Sequence, residues 1–156
     1  MTAIYPATWS VAQIGTGALS DRLGRKWLIA TGMWVQALGI GAVIVSTSFA
    51  GFAAGSVLLG TGTAMVYPTL LAAIGDVALP SWRASSVGVY RFWRDSGYVI
   101  GALLAGLTAD LVDISGAVWL VAAITFASGV VVALRMDGTH RHEYPSEHLY
   151  EGARSC

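Results

Sequence analysis

The chain is short of almost everything a water-soluble domain relies on. Charged residues fill 12% of its 156 positions, roughly half the share of an ordinary soluble domain. It has one cysteine, Cys156, at the last position, so no internal disulfide can form. That cysteine does not stand four residues from the end, as prenylation requires, and reads as an inert terminal thiol. Net charge is zero, without the basic excess that marks a nucleic-acid partner. His140, Arg141, His142 and His148 lie in a polar segment with no supporting cysteines, so no metal site is expected. No Ser-His-Asp set, phosphate-cradling loop or pair of membrane carboxylates stands out, so neither catalysis nor a cofactor is expected.

What the chain has in abundance is uncharged sequence. Apolar residues make up 55%, and mean hydropathy is +0.64. From Trp27 to Gly75 there is no Asp, Glu, Lys or Arg. A bilayer-spanning helix needs about 20 apolar residues, so this run holds two spans and a turn near Ser46, Thr47, Ser48 and Gly51. A second uncharged run, Ile114 to Leu134, holds one more. A soluble core does not supply helices of this length without polar faces. The start of the chain has no basic region or small-residue cleavage pattern of a secretion signal and reads as a span.

The expected fold is therefore all-α, a polytopic membrane bundle of five helices in residues 1–135. The spans fall near 4–19, 27–47, 52–77, 86–110 and 114–134, and a polar tail follows over 136–156. Cytoplasmic loops collect Lys and Arg. If residues 20–26 are cytoplasmic, alternation puts Arg22, Arg25, Lys26, Arg83, Arg91, Arg94, Arg135, Arg141 and Arg154 on that side. The opposite loops carry only Asp110 and Asp113. The N-terminus is thus expected outside and the tail in the cytoplasm, in a cell membrane.

Small residues recur at the spacing that lets helix backbones approach in lipid. Gly97, Gly101 and Gly106 stud the fourth span, with Ala102 alongside. Gly55, Gly60 and Gly62 stud the third, and Gly39 and Gly41 the second. All are read first as helix-packing positions. Pro68 is expected to kink the third span.

Residues 17–26, GALSDRLGRK, form a charged hairpin between two greasy segments. Asp21 can accept backbone N–H bonds from a turn or a helix N-terminus. Arg22, Arg25 and Lys26 sit at headgroup level, and Gly24 permits the reversal. The pattern G-x-L-x-D-R-x-G-R-K, filled here by Gly17, Leu19, Asp21, Arg22, Gly24, Arg25 and Lys26, resembles the signature loop of the major facilitator superfamily of secondary transporters. The resemblance extends over residues 4–135. It implies a partial fold of that family, since its members have two six-helix halves related as repeats.

Two departures bear on which half this is. LLGTGTA matches the small residues of the family's fourth-helix pattern at Gly60, Gly62 and Ala64, but has Ser56 and Leu59 at its Arg and Gln positions. GYVIGALLAG is similar to the fifth-helix antiporter pattern but has Ala102 and Ala105 at a Pro and a Gly. Both favour the C-terminal half, helices eight to twelve. The partner N-terminal half and one helix before residue 4 are then expected to be missing from this truncated chain.

Ionisable residues at membrane depth are expensive and normally partnered. Arg91 and Asp95 are four apart on one helix face and are expected to pair. Asp76 is placed to reach Arg91 or Arg94. Together Asp76, Arg91, Arg94 and Asp95 read as a cytoplasmic charge cluster; as a gate it would act with the loop, by the resemblance. That resemblance implies that Asp21 meets a helix of the missing half. Tyr5, Trp9, Gln13, Trp34, Gln36 and Tyr67 are candidates for a cavity lining, although aromatics near span ends more often anchor at the interface.

The function implied by the resemblance is alternating-access transport of a small solute, driven by an ion gradient, by a half that needs its partner and a lipid bilayer. A non-transporting membrane interaction module is the alternative. A self-associating half-transporter is a further variant, which an odd span count disfavours.

Overall fold

The computed structural model describes residues 3–136, apart from the side chains of Gly17, Ala18, Asp21, Arg22 and Leu23. Five helices follow one another with almost no connecting chain: α1 Ile4–Leu23, α2 Arg25–Val45, α3 Phe49–Val77, α4 Arg83–Leu111 and α5 Ile114–Arg135. There is no strand among the described residues, so the fold is the expected all-helical bundle. The polar tail over 137–156, with its histidines and Cys156, lies outside the described residues.

The uncharged runs dictate the scaffold. Helices α2, α3 and α5 are each long and apolar enough, by length and composition, to cross a membrane. The breaks between helices have local causes. Gly24 alone separates α1 from α2, at φ 80° and ψ 143°. Positive φ with an extended ψ is open almost only to glycine, so one residue reverses the chain where a loop over 20–26 is expected. The charged residues of that stretch are folded into helix ends instead. The Ser48 hydroxyl caps α3 by accepting from the Gly51 N–H at 3.2 Å. The Asp113 carboxylate caps α5 by accepting from the Gly116 N–H. Both are ordinary N-cap contacts. Helix α3 runs unbroken through Pro68.

Helix α2 is central, with α3 on one side and α5 on another. Helix α1 lies against α3, and α4 rests on α5 with a light touch on α3. The α2–α3 seam is antiparallel and glycine-lined. A Cβ at Gly62 would stand 2.7 Å from the Gly32 carbonyl oxygen, and one at Gly32 would stand 3.0 Å from the Gly62 carbonyl oxygen. Seven residues along, Gly39 and Gly55 meet in the same reciprocal way, at 3.1 Å each. In lipid, close backbone approach of this kind supplies the packing that water exclusion cannot. Leu28, Ile29 and Ala30 of α2 and Ala64 of α3 are fully buried.

Helix α4 is the opposite case. It has no buried residue, and Phe92, Trp93, Tyr98, Leu103 and Leu107 stand exposed along it. Gly97, Gly101 and Gly106 would each meet nothing within 4 Å if given a Cβ. The close helix approach expected at these three is therefore not made among the described residues. Their spacing permits close approach, but no helix of the described residues takes it up. An apolar space of about 100 Å³ remains between α4 and α5, lined in part by Gly101, Ala105 and Ile124.

Candidate functional site

Two polar regions interrupt the apolar bundle, one at a helix end and one inside. The end region is built on the hairpin. Arg25 opens α2, and Asp76 lies in the last turn of α3. Each charge has the wrong sign for its own helix terminus, because the dipole favours acids at N-termini and bases at C-termini. Antiparallel packing brings the two wrong-signed charges together, with Arg25 Nη1 2.6 Å from Asp76 Oδ2. Arg25 Nη1 makes no aligned hydrogen bond among the described residues, so the contact is an ion pair rather than a directed bond. With Asp76 about half exposed, it is worth on the order of 1 kcal/mol or less. Lys26 stands 5.8 Å from the Trp27 ring centroid.

Inside the bundle, Thr63 of α3 is a junction. Gln36 Nε2 donates to its hydroxyl oxygen at 2.7 Å, and the Tyr5 hydroxyl donates at 3.3 Å. Thr63 in turn donates to the Leu59 carbonyl at 2.8 Å. A hydroxyl offers one donor and two acceptor positions, and all three are filled. This network ties α1, α2 and α3 together and leaves the Thr63 hydroxyl no free position.

One helical turn along α3, the arrangement differs. Arg94 of α4 reaches across to α3, where Nη1 donates to the Tyr67 hydroxyl and Cζ lies 5.3 Å from the Tyr67 ring centroid. Its Nε donates to Asp95 Oδ1 at 2.9 Å, and Nη2 is 2.8 Å from the same oxygen. Trp9 of α1 stands edge-on to Tyr67, with ring centroids 6.4 Å apart at 83°. The Trp9 indole N–H is buried without a partner among the described residues.

The charge cluster expected from the sequence is thus regrouped. Asp76 pairs with Arg25, not with Arg91 or Arg94, because the α3 C-terminus packs on α2 while α4 only grazes α3. Asp95 pairs with its neighbour Arg94 rather than with Arg91; Tyr67 fixes the Arg94 guanidinium where its side-on edge meets that carboxylate. Arg91 is exposed and in no ion pair among the described residues. Trp34 packs on α5, with its ring 6.2 Å from Phe126 and in close contact with the backbone at Gly129, away from the Arg94 corner. Tyr5 and Gln36 belong to the satisfied Thr63 network. Of the candidate lining residues, Trp9 and Tyr67 reach the corner. Gly17, Asp21 and Arg22 occupy the last turns of α1, and their side chains lie outside the described residues. Sequence reasoning missed both Arg25–Asp76 and Tyr67–Arg94, since no spacing along the chain signals a contact between helices.

The family model described as Major Facilitator Superfamily matches residues 1–152. Among curated relatives, an uncharacterized transporter of Buchnera aphidicola subsp. Schizaphis graminum is 27% identical over 129 residues, which is 83% of this chain and 32% of that protein. The major facilitator-type transporter ecdD of Aspergillus rugulosus is 25% identical over 159 residues, 99% of this chain and 29% of that protein. The inner membrane transport protein YajR of Escherichia coli K12 is 28% identical over 131 residues, 84% of this chain and 28% of that protein. The chain therefore spans about a third of the length of these relatives. No solved structure matches it.

Proposed function

The chain belongs to the Major Facilitator Superfamily, and from that premise we propose that it is the second half-bundle, helices eight to twelve, of a secondary transporter for a small solute. It is a multi-pass membrane protein, and its relatives are named as transporters rather than enzymes. The observation that carries the transporter reading is the fully filled Gly17–Lys26 pattern at a hairpin end, within a match that covers nearly the whole chain, and the choice of the second half rests on the departures at Ser56, Leu59, Ala102 and Ala105. All five helices cross the membrane in this reading, with α4 forming one wall of a central cavity.

The hairpin end is the cytoplasmic end. Arg25, Lys26, Arg83 and Arg135 lie at helix ends on that side, while Asp110 and Asp113 lie on the other, the bias that orients membrane proteins. The membrane is the cell or inner membrane. Asp21 acts as a gate residue toward a helix of the partner half, on a base braced by Arg25 and Asp76. Rocking of the two halves about the central site moves the solute, driven by a coupling ion.

The test is uptake. Proteoliposomes holding the chain with the remaining helices of its transporter are screened with radiolabelled organic solutes under an imposed proton or sodium gradient. Gradient-driven accumulation of at least one solute is expected, with loss in Asp21→Asn. A chain that takes no further helices and moves no solute would be an interaction module instead. Orientation is read from Cys156, which an impermeant maleimide should label from the cytoplasmic side alone.

A further inference from the structure

The polar groups set against α3 differ in how much of their bonding capacity is spent. Thr63 is fully used. Arg94 is not: a guanidinium carries five N–H groups in a fixed fork. Nε and Nη2 are committed to Asp95 Oδ1 and Nη1 to Tyr67, which leaves one N–H on each terminal nitrogen. The side chain is 27% exposed, so those donors are not sealed in. Tyr67 and Asp95 hold the fork from two sides, and the Trp9 edge on Tyr67 extends the wall. Tyr90, one turn before Arg94 on the same helix, lies on the same face by spacing.

We propose that this corner, formed by Trp9, Tyr67 and Arg94, binds the carboxylate of a small organic anion whose apolar body lies against the aromatic rings. The geometry meets the requirements of such a site. A pre-organised arginine fork matches a carboxylate better than a lysine does. Aromatic rings supply apolar area with little ordering cost. Asp95 supplies the counter-charge that makes the unliganded arginine tolerable at this depth, and it competes with the ligand for the same cation. The shared chemistry is a single oxyanion group, which a lipid headgroup also offers. Arg94 lies eleven residues past Arg83, roughly 16 Å along the axis at 1.5 Å per residue, which favours a solute over a headgroup. The proposal takes its purpose from the transporter reading, as the subsite for the transported molecule.

The test is a binding titration of the full 156-residue chain in phosphatidylcholine nanodiscs, with 4-fluorobenzoate as probe and 19F relaxation as readout. Arg94→Gln should weaken binding about tenfold or more, as loss of a charge-assisted fork does. Arg94→Lys, which keeps charge without the fork, should fall between. Asp95→Asn should tighten binding about threefold by removing the competing carboxylate, a gain that misfolding cannot imitate. The neutral isostere 4-fluorobenzamide should show no dependence on Arg94.

Weaker binding in Asp95→Asn, or Asp95-dependent binding of 4-fluorobenzylamine, would overturn the assignment in favour of a cation site. Equal binding by wild type, Arg94→Gln and Asp95→Asn would reduce it to partition of the probe into lipid. Displacement of the probe by phosphatidylglycerol would identify the bound anion as a headgroup. Because the titration reads binding and not translocation, a chain that moves no solute yet titrates as described loses the transporter reading and keeps the site. Uptake with an unresponsive titration does the reverse.

Discussion

The α2–α3 seam and helix α4 are both rich in glycine, yet glycine does different work in each. In the seam, Gly32 faces Gly62 and Gly39 faces Gly55, with carbonyl oxygens where a side chain would have to stand. On α4, Gly97, Gly101 and Gly106 meet nothing, and no residue is buried. The polar groups follow the same division. The Thr63 hydroxyl, which joins α1, α2 and α3, has every position filled, whereas Arg94 keeps free donors. The seam is a scaffold that needs no partner. Helix α4 is a surface whose glycines and large apolar side chains stand open among the described residues.

The sharpest way to break the comparison is to put one methyl group on each side of it. Gly62→Ala places its Cβ 2.7 Å from the Gly32 carbonyl oxygen and 2.9 Å from the Gln36 backbone nitrogen. Backbone cannot swing aside, so a loss of about 1–3 kcal/mol is expected, read as a lower unfolding midpoint in detergent. Gln36→Leu comes next. It strips Thr63 of its 2.7 Å donor and should cost about 1 kcal/mol, in line with interhelical hydrogen bonds in membranes.

Asp76→Asn should cost less, at most about 1 kcal/mol, and the difference should shrink as salt is raised. Gly106→Ala belongs at the bottom of the series. With open space at its Cβ position, it should lose nothing, and the gain in helix propensity is about 0.5–1 kcal/mol. If Gly106→Ala destabilised the chain as much as Gly62→Ala, the division into scaffold and open surface would be wrong.

Much of the fold is legible in the sequence because membrane helices advertise themselves by absence of charge. Trp27–Gly75 and Ile114–Leu134 hold no charged residue, and α2, α3 and α5 lie on those runs. Helix ends are less legible. Residues 20–22 are polar or charged, so they look like the start of a loop, but a helix that has reached headgroup depth continues with polar side chains at no penalty. The stop at Gly24 comes from backbone conformation, not from polarity. Packing is less legible still. Glycine spacing says that a close approach is possible without naming the neighbour, and the seven-residue interval shared by Gly32/Gly39 and Gly55/Gly62 is informative only once the two helices are known to be antiparallel. Ion pairs fail for the same reason. Arg91 and Asp95 satisfy the spacing rule, but Asp95 is drawn to Arg94, which Tyr67 of another helix holds in place.

The contrast between a closed scaffold and an open, solute-facing α4 meets its most direct test in thiol reactivity within the cell membrane. In a Cys156→Ser background, single cysteines replace Tyr98, which is 70% exposed on α4, and Ala64, which is fully buried on α3. If α4 is a cavity wall, a cationic, membrane-impermeant thiol reagent should modify the cysteine at 98 from water, and 4-fluorobenzoate should slow it. The cysteine at 64 should stay unmodified. A cysteine at 98 that ignores the aqueous reagent but reacts with a lipid-soluble maleimide would place that face of α4 against lipid, and the cavity-wall reading would fall.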